Sequence, residues 1–129
     1  MNRKRILLVD DSPTVLLWQR LILEDAAHEI YTASDGEEGI RVAEAVKPDL
    51  VLLDVVMPVM NGFQACTELR RSPVMRDVPI LMVTTRSEME NVVRGFECGC
   101  NEYITKPIDR TELLTKVRSY LDRETELSA

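Results

Sequence analysis

Five polar residues in this sequence each follow a short run of strand-forming character. Asp10 and Asp11 come after Ile6 to Val9, Asp54 after Leu50 to Leu53, Thr84 after Ile80 to Val83, and Lys106 after Tyr103-Ile104-Thr105. Three carboxylates gathered at one place repel one another, and without compensation at least one tends to keep its proton near neutral pH. A divalent cation removes that conflict. Magnesium prefers oxygen ligands, takes one or two carboxylates, and fills its octahedron with water and phosphate oxygens. Asp11 and Asp54 suit the carboxylate role, with Asp10 in support through water and a backbone carbonyl available from Val56. Thr84 and Lys106 are a hydroxyl donor and a cation, which fit the oxygens of a phosphoryl group resting on Asp54. An acyl phosphate of that kind forms by in-line attack of a carboxylate on phosphorus. Plainer readings stay open: Asp54 as a turn-making or capping residue, and Lys106 as its structural ion-pair partner.

The elements that must position these groups follow from the apolar pattern. The run Leu50 to Leu53 has no alternation, which suits a strand covered on both faces, and Pro58 and Asn61-Gly62 turn the chain after it. Arg5 to Val9 reads as a first strand, His28 to Ala33 as a second, Val78 to Thr84 as a fourth, and Tyr103 to Thr105 as a fifth. Between them, Ser12-Pro13 opens a helix to about Asp25 whose apolar residues include Val15, Leu16, Trp18, Ile22 and Leu23, so Trp18 is expected in the core. Ser34-Asp-Gly-Glu37 resembles a capping box for a helix to Val46, and Asn61 caps another to Arg71. Met89, Val92, Val93 and Phe96 form the stripe of a short fourth helix stopped by Gly99. Asp109 to Glu112 caps a last helix with Leu113, Leu114, Val117 and Leu121 inward, and 124–129 is expected to be a frayed tail.

Strands alternating with helices mean an α/β fold: a five-stranded parallel sheet with helices on both faces. Right-handed crossovers bring every carboxyl end to one edge, so Asp10, Asp11, Asp54, Thr84 and Lys106 converge whatever the function.

The chain has 129 residues, room for one core. A net charge of -6 argues against a nucleic-acid surface, which needs clustered Lys and Arg. No run is long enough to span a membrane and the N-terminus has no signal-peptide pattern, so a cytoplasmic location is expected. Cys66, Cys98 and Cys100 are expected as reduced thiols, since Cys98-Gly-Cys100 lacks the C-x-x-C spacing and has no histidine nearby. His28 is expected in a surface or turn role.

Asp10-Asp11, the D-x-x-M-P-x-M-N-G run from Asp54 to Gly62, Thr84 at the end of a strand, and Lys106-Pro107 together resemble the receiver domain of bacterial two-component response regulators. The resemblance covers about Lys4 to Leu121, with a domain over 4–123 of the stand-alone type. It implies the flavodoxin-like strand order 2-1-3-4-5. It implies that Asp54 accepts phosphate from a histidine kinase or phosphotransfer domain, that Asp10 and Asp11 bind Mg2+, and that Lys106 contacts the phosphate. Thr84 and Tyr103 match the family's switch pair, which alters the face made by the fourth helix, fifth strand and fifth helix, where a downstream effector protein docks. Tyr103 as a fixed strand-end aromatic is the simpler alternative. A cis Lys106-Pro107 peptide is also implied. The chemistry would be limited to self-catalysed phosphotransfer and autodephosphorylation, with output by contact as a monomer or a phosphorylation-dependent dimer.

Val56, Arg86 and Ile108 depart from the common pattern; the first two flank the phosphoryl position and are expected to set its lifetime. A phosphatase with an aspartyl phosphate intermediate typically places a second acid where Val56 stands. A flavin carrier needs hydroxyl and glycine donors where Asp10-Asp11 stand. The remaining alternative is a phosphate-independent, receiver-like docking module.

Overall fold

The computed structural model describes residues 3–85 and 97–128, with side chains through Asp122. Its strands are β1 (Arg5–Val9), β2 (Glu29–Ala33), β3 (Leu50–Asp54), β4 (Ile80–Thr84) and β5 (Glu102–Thr105). Helices α1 (Pro13–Asp25), α2 (Gly36–Val46) and α3 (Gly62–Arg71) alternate with them, and a C-terminal helix spans Arg110–Ser128. All five strands pair in parallel, in the order β2-β1-β3-β4-β5.

The unbroken apolar runs are explained by this sheet having two covered faces. Successive residues point to opposite sides, so both sides need apolar chains. Leu7, Val9, Val51, Leu53, Ile80 and Met82 face α2 and α3, packing on Ala43, Phe63, Ala65, Cys66 and Leu69. Ile6, Leu8, Leu50, Leu52, Leu81, Val83 and Ile104 face the other way, onto Ile22 and Leu23 of α1 and onto Leu113, Val117 and Leu121 of the C-terminal helix. Each such side chain contributes roughly 1.5–3 kcal/mol by leaving water, and β3 and β4, each buried along its whole length, form the centre of the sheet.

Local signals set the element ends. Ser12 caps α1, its hydroxyl accepting from the Val15 N–H, and Pro13 takes the first helical turn. Asn61 and Gln64 form a reciprocal capping box on α3. Asp109 accepts the Glu112 N–H at the start of the C-terminal helix.

Three expectations need correction. Trp18 is 45% exposed, with its indole N–H donating to the Ile108 carbonyl; Gln19 takes the buried position of that turn. The cap of α2 lies one residue later than expected, with Asp35 accepting the Glu38 N–H and Glu38 accepting from Ser34. The fourth strand begins at Ile80, because Pro79 cannot donate to a ladder. The last helix spans Arg110–Ser128, in a stretch with no Gly or Pro to stop it. The expected helix around Met89 to Phe96, and Arg86, lie outside the described residues.

Candidate functional site

Register places the acids. Val9 pairs with Leu53, so Asp10, the next residue of the chain, comes level with Asp54 at the carboxyl edge. Strand order reverses between β1 and β3, which opens a crevice at this edge. Asp10, Asp11 and Asp54 each bring a carboxylate oxygen within 4.8 Å of the other two. Asp10 and Asp54 are buried, at 1% and 3% exposure, and Asp11 is open to solvent.

The ammonium of Lys106, which follows β5, lies 3.0 Å from Asp54 Oδ1 and 3.3 Å from Asp10 Oδ2. Its backbone N–H donates to the Thr84 carbonyl, which ties the lysine to the end of β4. The Lys106–Pro107 peptide is cis. Burial pulls the lysine's pKa down, but hydrogen bonding and charge attraction from Asp54 and Asp10 hold it above its ordinary value. For Asp54 burial wins: desolvation, then the Asp10 charge, lift its pKa to about 6 against the opposing pull of Lys106. One lysine therefore does not neutralise this pair of buried acids.

Asp10 is half satisfied. Its Oδ1 accepts the Ser12 N–H at 2.9 Å, whereas Oδ2 is buried with no hydrogen bond of acceptable geometry among the described residues. An Asp10 oxygen met only by the Lys106 ammonium among the described residues, the buried Asp54 carboxyl beside it and an exposed third acid make an all-oxygen donor set suited to a hard divalent cation. Asp10, Asp11 and Asp54 are the residues that fit it.

Thr84 ends β4 fully buried, its hydroxyl 3.4 Å from the Thr85 carbonyl. Tyr103 of β5 is buried in the α2 and α3 cluster, where desolvation and its contact with Cys100 push its phenol pKa well up. Val56 stands just past Asp54 with its side chain exposed. His28 lies before β2, at the opposite edge of the sheet.

Ser12, read only as a cap signal, and Gly62, read as part of a turn and of the D-x-x-M-P-x-M-N-G run, both bear on the shape of the site. Ser12 holds Asp10 by its backbone N–H. Gly62 donates to the Val55 carbonyl, and a Cβ there would sit 2.3 Å from the Asp54 carbonyl oxygen. Its place directly after Asn61 at a helix start, just past a strand-end acid and its turn, was the available signal.

Comparison with known proteins identifies the family. Residues 6–118 match the response regulator receiver domain, and the chain belongs to that family of two-component signalling domains. It is 39% identical to protein PilH of Pseudomonas aeruginosa over 91% of this chain and 97% of that one. Other curated relatives are about twice as long: the chain is 40% identical to the transcriptional regulatory protein PhoP of Bacillus subtilis but spans 52% of it. Among solved structures, the chemotaxis response regulator CheY4 of Vibrio cholerae superposes with a TM-score of 0.88 at 32% identity, covering 93% of this chain and 100% of that one. The receiver domain of sensor histidine kinase PA1611 from Pseudomonas aeruginosa superposes at 0.86 with 28% identity, over 94% and 99% of the two chains; it carries a magnesium ion in its active-site cleft. Among the described residues no helix is long and apolar enough to cross a membrane.

Proposed function

We propose that Asp54 is the phosphoacceptor of this receiver, that Asp10, Asp11 and Asp54, with the Val56 carbonyl, hold Mg2+, and that Thr84 and Lys106 bind the transferred phosphoryl group. The observation that carries this reading is the triad of carboxylates within 4.8 Å of one another with an ammonium 3.0 Å from Asp54. A carboxylate oxygen of Asp54 attacks phosphorus in line; its new O–P bond forms as the bond to a kinase or phosphotransfer histidine breaks. Magnesium, when bound, screens the approaching negative charges. Lys106, already turned to Asp54, then pairs with a phosphoryl oxygen.

The phosphoryl group brings roughly -1.5 to -2 of charge to the end of β3. The Thr84 hydroxyl, at the end of the neighbouring strand, is the donor placed to turn toward it. Tyr103 lies on β5, beside β4, and is the residue whose packing would report that movement to the face formed by β5 and the C-terminal helix, where an effector protein docks. Thr84 and Tyr103 thus act as a two-state element biased by charge.

Intact mass after incubation with acetyl phosphate and magnesium tests the reading. A gain of roughly 80 Da in wild type, lost in Asp54→Ala and in EDTA, is expected. A protein that binds magnesium and gains no mass, even with candidate kinases, would instead be a phosphate-independent docking module.

A further inference from the structure

The three cysteines, far apart in sequence from any metal pattern, are brought together by the fold. Cys66 is on the inner face of α3 with no exposure, and its Sγ lies 3.5 Å from the Cys98 carbonyl oxygen. The Cys66 S–H donates to that oxygen, which sets the two cysteines side by side. Arg70, one helical turn beyond Cys66, pins the Cys98 turn against α3. Its Nε donates to the Gly99 carbonyl at 2.9 Å, Nη2 to Asn101 Oδ1 at 2.8 Å, and Nη1 to the Val78 carbonyl at 2.7 Å. Gly99, at φ 103°, lets the turn pass beneath that side chain, since a Cβ would come within 3.0 Å of Arg70 Cγ. Cys98 is half-buried and lines a surface groove of about 250 Å³ with Phe63, Gln64, Thr67 and Glu97.

We propose that Cys98 and Cys66 are a peroxide-responsive thiol pair: Cys98 takes the oxidant from the groove and Cys66 resolves it, forming a disulfide that locks α3 to the turn leading into β5. The neighbouring Cys66 thiol favours a Cys98 thiolate and lowers its pKa, while Cys66 is held well above the usual thiol range. Cys100 is buried and is not among the residues lining the groove, and burial raises its thiol to about 11.

The step balances with a hydroperoxide as oxidant. The Cys98 thiolate attacks the outer peroxide oxygen; an S–O bond forms, the O–O bond breaks, and the departing alkoxide takes up a proton to leave as an alcohol, or as water from hydrogen peroxide. Cys66 sulfur then attacks Cys98 sulfur, the S–O bond breaks, and hydroxide leaves with the Cys66 proton as water. The two thiols are together oxidised by two electrons, and the peroxide is reduced by two. None of this depends on Asp54 or on phosphoryl transfer.

The test treats the reduced full chain with hydrogen peroxide, alkylates remaining thiols, and measures intact mass and cross-linked peptides. A loss of about 2 Da before alkylation, restored by dithiothreitol, with the link mapped between Cys66 and Cys98, is expected. Cys100→Ala should retain that link and Cys98→Ala should lose it. Cys66→Ala should leave a sulfenic acid on Cys98 that dimedone traps. A link from Cys98 to Cys100, a disulfide between two chains, or thiols that stay reduced in wild type and Cys100→Ala alike would overturn the proposal.

Discussion

Asp54 is held in a conflict that its neighbours only partly relieve. Burial and the Asp10 charge oppose ionisation, Lys106 favours it, and the balance leaves the pKa at about 6, above the ordinary 3.8. A carboxylate whose folded pKa is raised holds its proton more tightly in the folded state. Stability from this group is therefore complete below about pH 4 and falls as pH rises from there through 6, because the unfolded chain releases its proton first. Above that window the ionised carboxylate costs on the order of 2 kcal/mol. Asp54→Asn removes the titration. Without metal, its unfolding free energy at pH 7.5 should exceed that of wild type by on the order of 1–2 kcal/mol, with the difference closing by pH 4. Urea denaturation in EDTA at the two pH values measures it. A variant less stable than wild type at pH 7.5 would mean that the Lys106 ion pair outweighs the cost of burial.

At the scale of elements, the site depends on how closely α3 starts behind β3. The Gly62 N–H meets the Val55 carbonyl, and its Cα sits where a methyl group would collide with the Asp54 carbonyl oxygen, the Val55 Cα and the Met82 methyl. Two of those three obstacles are backbone and cannot rotate away. Gly62→Ala should cost roughly 1–3 kcal/mol in denaturant unfolding and slow phosphoryl uptake, since relief requires moving the strand end that carries Asp54. Unchanged stability in the Gly62→Ala variant would show that the start of α3 is free to shift. Elements were legible in the sequence where a cap or a proline marks an end: Ser12-Pro13 and Asn61 did so for α1 and α3. Trp18 was misplaced because periodicity counts apolar residues without showing which side of a broad stripe meets the sheet. The strand-end acids could be found because parallel strands converge at one edge. The meeting of Cys66 with Cys98 could not, because it depends on the path of the turn before β5 and on Arg70 reaching across to it.

Taken as a whole, the molecule gathers unfavourable charge at one edge of a sheet whose central strands are covered on both faces. Among the described residues, two buried acids and one exposed acid share a single ammonium there, and one buried oxygen of Asp10 meets nothing but that ammonium, 3.3 Å away. The unfolded chain offers no such cluster, so a cation that binds it stabilises only the folded state. Magnesium at about a hundredfold above its dissociation constant should add about 2.7 kcal/mol, seen as a rise in melting temperature with concentration. Protons compete for the same oxygens. With Asp54 titrating near 6, the gain should be full at pH 7.5 and much reduced at pH 5. Asp11→Asn, a change at an exposed side chain, should leave metal-free stability nearly unchanged and remove most of the magnesium-dependent gain. Thermal scans of wild type and this variant, with magnesium and with EDTA at both pH values, separate the two effects. A magnesium gain that survives Asp11→Asn, or is as large at pH 5 as at pH 7.5, would place the cation away from these three acids.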